Sequence, residues 1–354
     1  MVDRIERGIR VAHCPRAGVI ELRQQGWPTP GPGEAVVQVH GCGVCGSDLH
    51  FYHGGFPPPA ACPGHEIAGV VVSAGAGAEA QIGSRVAVEP LVICGTCSYC
   101  QTGNYQLCPR FCIVGNAVDG GFADAVRVPV RCLFPLPDTV DLDVATLTEP
   151  LAVAVHALRL ARIEPGDRVA VLGAGTIGLM SVAAARSAGA GDVWVSARYD
   201  RQQQAAEQLG ASRVFRGSDA DDAMRAAARS QPVDLVIETV GGTAPTLATA
   251  VRLARPGGTV VVLGVFTVPA PIDAGTLVVH EVRLIGSMTY GRSGTRADFE
   301  RAIALLAAQP ETFRSLITHR LALDDIDLAF RTAGDKRSGA IKVQVRPRAD
   351  HPDI

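Results

Sequence analysis

The stretch Arg168-Val-Ala-Val-Leu-Gly173-Ala-Gly175-Thr-Ile-Gly178 decides the fold of the second half of the chain. It predicts a buried apolar strand, followed after a glycine-rich turn by a helix at Ile177–Ala188. Gly173 permits a tight turn, Gly175 lets backbone approach a pyrophosphate, and Gly178 lets the helix pack closely on the sheet. Free N–H groups at the start of that helix favour a phosphate. This strand-turn-helix context predicts a dinucleotide site.

Strands and helices alternate on both sides of that stretch. A helix is predicted before it, at Leu151–Leu160. The later elements are a strand at Asp192–Ala197, a helix at Arg201–Leu209, and strands at Val233–Glu238, Thr259–Leu263 and Val282–Ile285. Alternation of this length predicts an α/β fold with a doubly wound parallel sheet.

The first part of the chain has a different pattern. Residues 9–40 alternate apolar and polar residues between Pro and Gly, which predicts short antiparallel strands. Further strands are expected at Ile67–Val72, Arg85–Val88 and Ala123–Val128, so this part is mainly β. The end of the chain predicts helices at Asp298–Ala307 and Asp325–Ala333 and a strand at Ala340–Val345, which we expect to pack back onto the first domain.

The end of the second predicted strand indicates the cofactor. An acidic residue at this point normally binds the adenosine ribose and selects NAD, but Ala197 occupies the position. Arg198 follows with a planar fork that suits a 2′-phosphate, and Arg201 lies three residues later. We therefore predict NADP(H), against the alternative of surface arginines at a strand end. The other residues assigned to cofactor binding are Thr176, Ile177, Thr239, Gly264 and Val265.

A cysteine-rich loop predicts a closed metal site. Its four cysteines are Cys94, Cys97, Cys100 and Cys108. Four thiolates from one loop satisfy a tetrahedral zinc ion and leave no position for a substrate, so this zinc would be structural. Free thiols, disulfides and a nucleic-acid-binding zinc ribbon are the alternatives. The loop has no Lys or Arg before Arg110, which argues against the ribbon.

A second, mixed set of possible ligands precedes that loop. Cys45, His65 and Glu66 offer sulfur, imidazole and carboxylate, and Glu149 follows at the start of the Leu151–Leu160 helix. Three protein ligands with one open position are typical of a catalytic zinc, which acts as a Lewis acid on a bound alcohol. Ser47 and His50 are predicted to pass the proton of the alcohol to solvent.

Composition excludes several classes of protein. The formal net charge of -2 gives no electrostatic footprint for nucleic acid. The charged start Met1–Arg7 contains no signal-peptide core, and no apolar run approaches the roughly 20 residues of a membrane span. We expect a cytoplasmic protein without a membrane partner, whose ten cysteines serve metal ligation rather than disulfides.

Together these motifs resemble the zinc-containing medium-chain dehydrogenases over nearly the whole chain. Gly64-His-Glu-Ile-Ala-Gly69 with Gly75 is similar to the zinc signature of that family, and the cysteine loop is similar to its structural zinc lobe. The resemblance implies a GroES-like catalytic domain at 1–152, a Rossmann domain at 153–290 and a returning segment at 291–354. It also implies two zinc ions per chain and a homo-tetramer or homo-dimer. Cys45, His65 and Glu66 would bind the catalytic ion, with Glu149 a ligand directly or through water.

The run Thr148-Glu-Pro-Leu-Ala-Val-Ala-Val-His156 is similar to the sorbitol-type and butanediol dehydrogenases. Thr289 stands where sorbitol-type enzymes have an arginine, which argues against a long polyol. The substrate-pocket candidates are Phe51, Phe56, Asn116 and Phe122. The expected activity is NADP(H)-linked interconversion of a secondary alcohol (polyol, diol or cyclitol) and its ketone. The alternatives are an NAD-linked butanediol-type enzyme and a non-catalytic binding protein on the same fold.

Overall fold

The computed structural model describes residues 8–347, which divide into two compact units. The first unit contains residues 8–149 and 291–347, and the second contains residues 150–290. Residues 1–7, on which the argument against a signal peptide rests, and residues 348–354 lie outside this range. Within the described residues, no helix combines the length and the apolar character that crossing a membrane requires.

The first unit begins with short strands, as the alternating pattern predicts. The elements before the unit boundary are β1 (Ile9–Arg16), β2 (Val19–Gln25), β3 (Glu34–Gly43), α1 (Gly46–Tyr52), β4 (Glu66–Ala74), β5 (Arg85–Val88), β6 (Leu91–Val92), α2 (Ser98–Gln101), β7 (Cys112–Ile113), β8 (Ala125–Pro129), β9 (Leu133–Pro135) and α3 (Leu142–Ala145). Helix α4 (Thr148–Ala161) contains the boundary between Glu149 and Pro150.

The second unit is a six-stranded parallel sheet in the order β12-β11-β10-β13-β14-β15. Its elements are β10 (Arg168–Leu172), α5 (Thr176–Ser187), β11 (Asp192–Ala197), α6 (Asp200–Gln208), β12 (Arg213–Arg216), α7 (Ala220–Ala228), β13 (Val233–Glu238), α8 (Thr246–Leu253), β14 (Ala254–Val262), α9 (Ala274–Val279) and β15 (Arg283–Gly286). The predicted doubly wound sheet is confirmed, while β12, α7, α8 and α9 were not anticipated. Strand order reverses between β10 and β13, where such sheets bind ligands.

The chain then returns to the first unit. The returning elements are β16 (Arg292–Ser293), β17 (Arg296–Ala297), α10 (Asp298–Ala308), α11 (Pro310–Arg314), β18 (Ile317–Ala322), α12 (Ile326–Gly334) and β19 (Lys342–Arg346). Strand β19 pairs antiparallel with β3, where Val345 lies opposite Cys42. The resulting seven-stranded sheet has the order β18-β19-β3-β4-β5-β9, with β8 also paired to β3. This pairing brings the end of the chain beside the residues that follow β3.

Each unit has its own apolar core. In the first unit, Phe122 and Phe330 are buried with the valines of β3 and β4, and their ring centroids lie 5.5 Å apart. In the second, Trp194 of β11 and Phe215 of β12 pack against each other at 5.5 Å. Burial of these side chains on one face of each sheet supplies the hydrophobic stabilisation that fixes the strand register.

Candidate functional site

The four-cysteine loop contains two short elements. Cys97 precedes α2, Cys100 lies within it, and Cys108 follows a 3₁₀ turn at Tyr105–Leu107. The sulfur atoms of all four cysteines lie within 4.8 Å of one another. The Cys97–Cys100 distance is 3.4 Å, the Cys94–Cys108 distance 3.5 Å and the Cys94–Cys100 distance 3.8 Å. A tetrahedral shell with zinc–sulfur bonds of about 2.3 Å needs sulfurs about 3.8 Å apart, so the loop fits that ion.

Backbone donors in the same loop favour thiolates. The backbone N–H groups of Thr96 and Cys97 lower the pKa of Cys94 to about 5. The backbone N–H groups of Cys94 and Arg110 lower the pKa of Cys108 in the same way. Burial and the hydrogen bond with Cys97 raise the pKa of Cys100 to about 12, so the metal-binding thiolate form is favoured at Cys94 and Cys108 but not at Cys100.

The mixed set gathers in the first unit around the end of β3. Cys45 caps the N-terminus of α1, and Glu66 is the first residue of β4. One ligand atom each from Cys45, His65 and Glu66 lies within 4.8 Å of the others. Gly64 precedes His65 with a φ of +101°, and a Cβ there would lie 2.8 Å from the Cys42 sulfur. A glycine is therefore required for the turn that presents His65 and Glu66.

Glu66 is held by a buried lysine that the sequence reasoning did not find. Lys342 Nζ lies 2.6 Å from both carboxylate oxygens of Glu66 and also donates to Val44 O at 3.1 Å. Both side chains are 1% exposed. Burial alone would lower the pKa of Lys342, but the Glu66 carboxylate more than offsets this and raises it. The pair fits because Gly43, opposite Glu66 on β3, has no side chain: a Cβ there would lie 1.9 Å from Glu66 Oε2.

Asp48 is a second residue that sequence reasoning missed. Its Oδ2 accepts the backbone N–H of Cys45 at 2.8 Å, and its Oδ1 faces His65 Nδ1 at 3.8 Å. Oδ1 is buried without a hydrogen-bond partner among residues 8–347. A carboxylate behind a metal-binding imidazole commonly sets its tautomer and orientation. Its place three residues after Cys45 at a helix start was the available sequence signal.

Ser47 and His50, the predicted proton carriers, both lie on α1 with Asp48. Both are partly buried, and the ring of His50 lies 5.2 Å from that of Phe56. One short helix thus follows Cys45 directly and carries both residues, together with Asp48.

Glu149 lies outside the 4.8 Å set formed by Cys45, His65 and Glu66. Its side chain is buried, and burial raises its pKa to about 7, against the lowering effect of His65. The negative charge of Glu66 raises this pKa further. Glu149 is therefore near enough to both residues to sense their charges, and no hydrogen bond to its carboxylate is present among the described residues.

The glycine loop of the second unit has the geometry that its sequence predicts. Gly173 has a φ of +93°, and its N–H donates to Ser196 Oγ at 3.1 Å. A Cβ at Gly178 would lie 2.0 Å from Gly173 O, so close packing of α5 on the sheet requires this glycine. A Cβ at Gly175 would meet nothing within 4 Å, which leaves space beside the start of α5, where Thr176 and Ile177 follow. These features fit a dinucleotide phosphate cradle.

The other predicted cofactor residues surround that loop within the second unit. Thr239 Oγ1 donates to Leu172 O at 2.7 Å. A Cβ at Gly264 would lie 2.3 Å from the buried carboxylate of Glu238, and Val265 is 51% exposed. Thr239 follows β13, and the other two lie just beyond β14, so all belong to the carboxyl edge of the sheet.

The carboxyl end of β11 presents two exposed arginines. Ala197 is the buried last residue of the strand, and Arg198 follows it with its side chain exposed. Arg201 is exposed in the first turn of α6. Within residues 8–347, neither guanidinium has a carboxylate partner, so both are available to an anionic ligand.

The substrate-pocket candidates differ in environment. Phe51 and Phe56 are partly buried with ring centroids 6.0 Å apart, and Asn116 is partly buried. Phe122 is fully buried and packs on Phe330, so its prediction as a pocket residue is wrong and it belongs to the core. Thr289 has a φ of +45°, which is unusual for a β-branched residue.

Chemically, the first unit offers an open ligand set beside a helix that carries a hydroxyl and an imidazole. Cys45, His65 and a carboxylate suit zinc with a fourth position free, and that combination activates an alcohol. The second unit offers a cradle for a dinucleotide. Both features on one chain indicate hydride chemistry at a CH–OH group.

Comparisons with known proteins agree with this geometry. Residues 31–138 match the alcohol dehydrogenase GroES-like domain, and residues 176–308 match the zinc-binding dehydrogenase family. Sorbitol dehydrogenase of Bacillus subtilis (strain 168) is 30% identical, across 98% of this chain and 99% of its own length. The (R,R)-butanediol dehydrogenase of the same strain is 32% identical, across 90% of this chain and 94% of its own.

A solved structure also supports membership of this family. The crystal structure of a zinc-binding dehydrogenase from Sinorhizobium meliloti 1021, bound to NADP, superposes with a TM-score of 0.83. It is 35% identical and covers 96% of this chain and 99% of its own. The predicted family, the GroES-like and Rossmann folds and the oxidoreductase class are confirmed. The chain belongs to the zinc-type medium-chain dehydrogenases, in the polyol and butanediol dehydrogenase branch, and acts on CH–OH groups.

Proposed function

We propose that the protein is a zinc-dependent NADP(H) dehydrogenase of secondary alcohols, of the polyol, diol or cyclitol class. It converts the alcohol and NADP⁺ to the ketone, NADPH and a proton, and catalyses the reverse reaction. The observation that carries this proposal is the open Cys45, His65 and Glu66 set on a chain that also holds a phosphate cradle at Gly173–Gly178.

The ligand sets suggest how two zinc ions would be held. Cys94, Cys97, Cys100 and Cys108 would hold the structural ion. Cys45 and His65 would bind the other ion with a carboxylate. Both oxygens of Glu66 already accept from Lys342, whereas Glu149 has no such partner in the described part of the chain. We therefore propose that Glu149 is the carboxylate that can bind the metal or its water. Glu66 would stay in place because Lys342 holds both of its oxygens.

The chain's own residues then handle the proton. When bound, the zinc ion supplies a Lewis acid that lowers the pKa of the substrate hydroxyl. Ser47 and His50 on α1 would accept the released proton and pass it towards solvent. Asp48 would keep His65 in the tautomer that leaves its other nitrogen free for the metal.

The strand end at Ala197 supports NADP(H) over NAD(H). NAD would miss the carboxylate that normally binds the ribose hydroxyls, because Ala197 stands there. Arg198 offers a bidentate contact to a 2′-phosphate, and Arg201 offers a second charge. One charge-assisted contact gives roughly a 10- to 100-fold preference.

We also propose that the enzyme is a homo-oligomer, with a tetramer favoured over a dimer by family resemblance. Strand β15 is an edge strand of its sheet, and Val278 and Val279 of α9 are 77% and 78% exposed. Open edges and exposed apolar side chains are the surfaces that proteins cover by association. Light scattering that gives a single 36.9 kDa particle would contradict the oligomer.

We also propose a cytoplasmic location. Five cysteines must be reduced to bind metal, and the cytoplasm is a reducing compartment.

Steady-state kinetics with NADP⁺ and NAD⁺ on sorbitol, butane-2,3-diol, myo-inositol and propan-2-ol would test the function. We expect turnover that a chelator abolishes and zinc restores, with kcat/KM about 10- to 100-fold higher for NADP⁺. Arg198→Ala should remove most of this preference by raising the KM for NADP⁺, while Arg225→Ala, at a partly exposed arginine away from the strand end, serves as the control. Equal or better turnover with NAD⁺ would contradict the cofactor assignment. No turnover with either cofactor would favour a non-catalytic binding protein.

A further inference from the structure

The turn that leads to His65 has no secondary structure of its own. Beyond His65, the sheet fixes the backbone, because Glu66 begins β4 and pairs with Gly43 of β3. Before it, residues 53–65 contain no helix or strand, and the turn at residues 62–64 runs directly into His65. A metal-binding side chain must be held within about 0.5 Å of its productive position. Other contacts therefore have to hold this turn.

Three backbone hydrogen bonds hold the turn from one side. They come from consecutive N–H groups of a distant segment and reach the carbonyl oxygens of all three residues 62–64. The bonds are Gly120 N to Cys62 O at 2.8 Å, Gly121 N to Gly64 O at 2.8 Å and Phe122 N to Pro63 O at 3.1 Å. We call residues 119–122 the clamp. Because every carbonyl of the turn accepts from the clamp, the two segments form one hydrogen-bonded unit.

The clamp and the turn pack backbone against backbone. A Cβ at Gly120 would lie 2.2 Å from Gly64 O. A Cβ at Gly121 would lie 2.4 Å from Ile67 Cγ1, on β4. Segments packed this closely transmit displacements to each other, because no space is left to absorb them. A movement of the clamp therefore moves the turn and the histidine that follows it.

Asp119 joins the clamp to the turn through its side chain. Its Oδ1 accepts the backbone N–H of Cys62 at 3.1 Å. Pro63 has no N–H group, so this bond holds the donor side of the turn while the clamp N–H groups hold its acceptor side. Cys62 is 4% exposed, and a buried N–H group that loses its acceptor is not compensated by water. Removal of the Asp119 oxygen should therefore disturb the turn three residues before His65.

The second oxygen of Asp119 has a more ordinary contact. Oδ2 accepts from Gln25 Nε2 at 3.1 Å, which ties the same segment to the last residue of β2. Gln25 is exposed, so water can replace this hydrogen bond with little loss. The two oxygens thus separate two roles: Oδ2 contacts the surface of the fold, and Oδ1 contacts the turn that presents His65.

We propose that Asp119 is a positioning residue for the open metal set, which holds the turn at residues 62–64 so that His65 meets Cys45 and Glu66. The proposal rests on the dehydrogenase function above, because the set it supports is the site of that reaction. The four-cysteine loop takes its ligands from a different segment, residues 94–108. The effect of losing Asp119 should therefore be confined to one of the two metal sites.

Asp119→Leu, Asp119→Asn and Gln25→Met separate the two contacts. Leucine removes both oxygens, asparagine keeps one oxygen for the Cys62 N–H, and Gln25→Met removes only the exposed hydrogen bond. Residues that orient metal ligands typically change metal affinity by about 10- to 100-fold, so Asp119→Leu should raise the zinc Kd of the open set by about that factor. Asp119→Asn and Gln25→Met should keep it within about two-fold of wild type. Competition with a chelator measures each Kd.

Cobalt(II) bound to the open set gives a reading that does not depend on turnover. Its visible absorption bands depend on ligand geometry, so Asp119→Leu should shift them and Asp119→Asn should leave them near those of wild type. Gly120→Ala should shift them too, because its Cβ would collide with Gly64 O. Gly26→Ala, whose Cβ would meet nothing within 4 Å, is the matched control. Unchanged bands in Gly120→Ala overturn the proposal even if Asp119→Leu does not fold.

The outcomes also separate this inference from the proposed catalysis. Unchanged bands and an unchanged zinc Kd in Asp119→Leu overturn the positioning role whatever happens to the Tm, because a purely structural residue would change the Tm alone. Shifted bands in a protein that oxidises no alcohol would support the positioning role and contradict the dehydrogenase function. Turnover of an alcohol by wild type, with unchanged bands in every variant, would do the reverse.

Discussion

The two candidate metal sites of the first unit are built in opposite ways. The closed site takes four cysteines from the single loop 94–108, and its surroundings add backbone donors and the hydroxyl of Thr96, which donates to the Cys94 sulfur at 3.7 Å. The open site takes Cys45, His65 and Glu66 from separate elements and surrounds them with Asp48, Glu149 and Lys342. The first arrangement suits an ion enclosed by one loop, whereas the second gathers ionisable groups from several elements, as sites with an open position do.

The difference teaches which property each site controls. A closed sulfur shell contributes folding free energy directly, because the four ligands are not held together in the unfolded chain. The open site lies beside β3 and β4, whose apolar core holds the sheet together without a metal. Loss of the first metal should therefore affect stability, and loss of the second should affect catalysis.

Cys97→Ser should give the largest effect, by breaking the closed shell. Structural zinc sites contribute on the order of 10 kcal/mol to folding in small domains, so we expect the zinc content to fall by one ion and the Tm by about 10 °C or more. Metal analysis and thermal unfolding measure both. Cys112→Ser, outside the set but close in sequence, is the matched control. An unchanged Tm would remove the structural role of the loop.

Cys45→Ser should give the next largest effect, on activity. Weakening the open ligand set should lower kcat/KM by about 1,000-fold or more while the Tm changes by less than about 3 °C. Cys14→Ala, which removes a thiol far from the set in sequence, should keep activity within about two-fold of wild type. If Cys45→Ser lowers the Tm as strongly as Cys97→Ser, the two sites do not divide stability and catalysis between them.

Lys342→Met should show that the open site depends on a charge pair. Breaking a buried pair leaves one charge uncompensated, which costs about 3–5 kcal/mol, measurable by urea unfolding. Glu66→Gln combined with Lys342→Met removes both charges and should recover much of that loss, which a double-mutant cycle quantifies. A cost below about 1 kcal/mol for the single change would mean that the pair adds little to stability.

Asp143→Asn tests a charge cluster that needs no metal. Burial would raise the pKa of Asp143, but the hydrogen bond from His40 and the charges of Arg346 and Arg320 lower it to about 2. A depressed carboxyl pKa stabilises the fold above the unfolded value near 4, and this contribution disappears as the pH falls from about 4 to about 2. The substitution should therefore cost about 2 kcal/mol at pH 7 and nothing near pH 2.

Urea unfolding at several pH values measures this cost. The exposed Asp222→Asn, which removes the i,i+3 partner of Arg225, is the control and should change stability by less than about 0.5 kcal/mol. A cost for Asp143→Asn that stays constant from pH 7 to pH 2 would refute the electrostatic origin.

The features that sequence reasoning predicted are those whose residues lie close together in the chain. The cysteine loop and Gly173–Gly178 each occupy one short segment, so spacing alone indicates their geometry. Ala197 and Arg198 follow because a parallel strand always presents its carboxyl end at the ligand edge. Helix α5 and strands β10, β11 and β13 were found from their apolar pattern.

The features that sequence reasoning missed depend on contacts between residues far apart in the chain. Lys342 lies 276 residues from Glu66, and only the pairing of β19 with β3 brings them together. A lysine within a predicted strand, here Ala340–Val345, carries no local sign of a buried partner. Phe122 shows the opposite error: it was predicted to line the substrate pocket, but its side chain is fully buried, packs on Phe330 and lies against Gly64. Helix α7 was missed although its buried residues Ala220 and Met224 lie four positions apart, and this helical spacing was the available signal.

Gly43 couples the evolution of the open site to its backbone. Because a Cβ there would lie 1.9 Å from Glu66 Oε2 and 3.1 Å from Lys342 Cδ, the positions 43, 66 and 342 form one epistatic unit. Any residue other than glycine at position 43 requires Glu66 to move or to be replaced by a shorter side chain. A shorter side chain at position 66 would leave Lys342 without its carboxylate partner. Single-substitution libraries will record all three positions as intolerant, whereas libraries that vary the three together can reach new ligand sets.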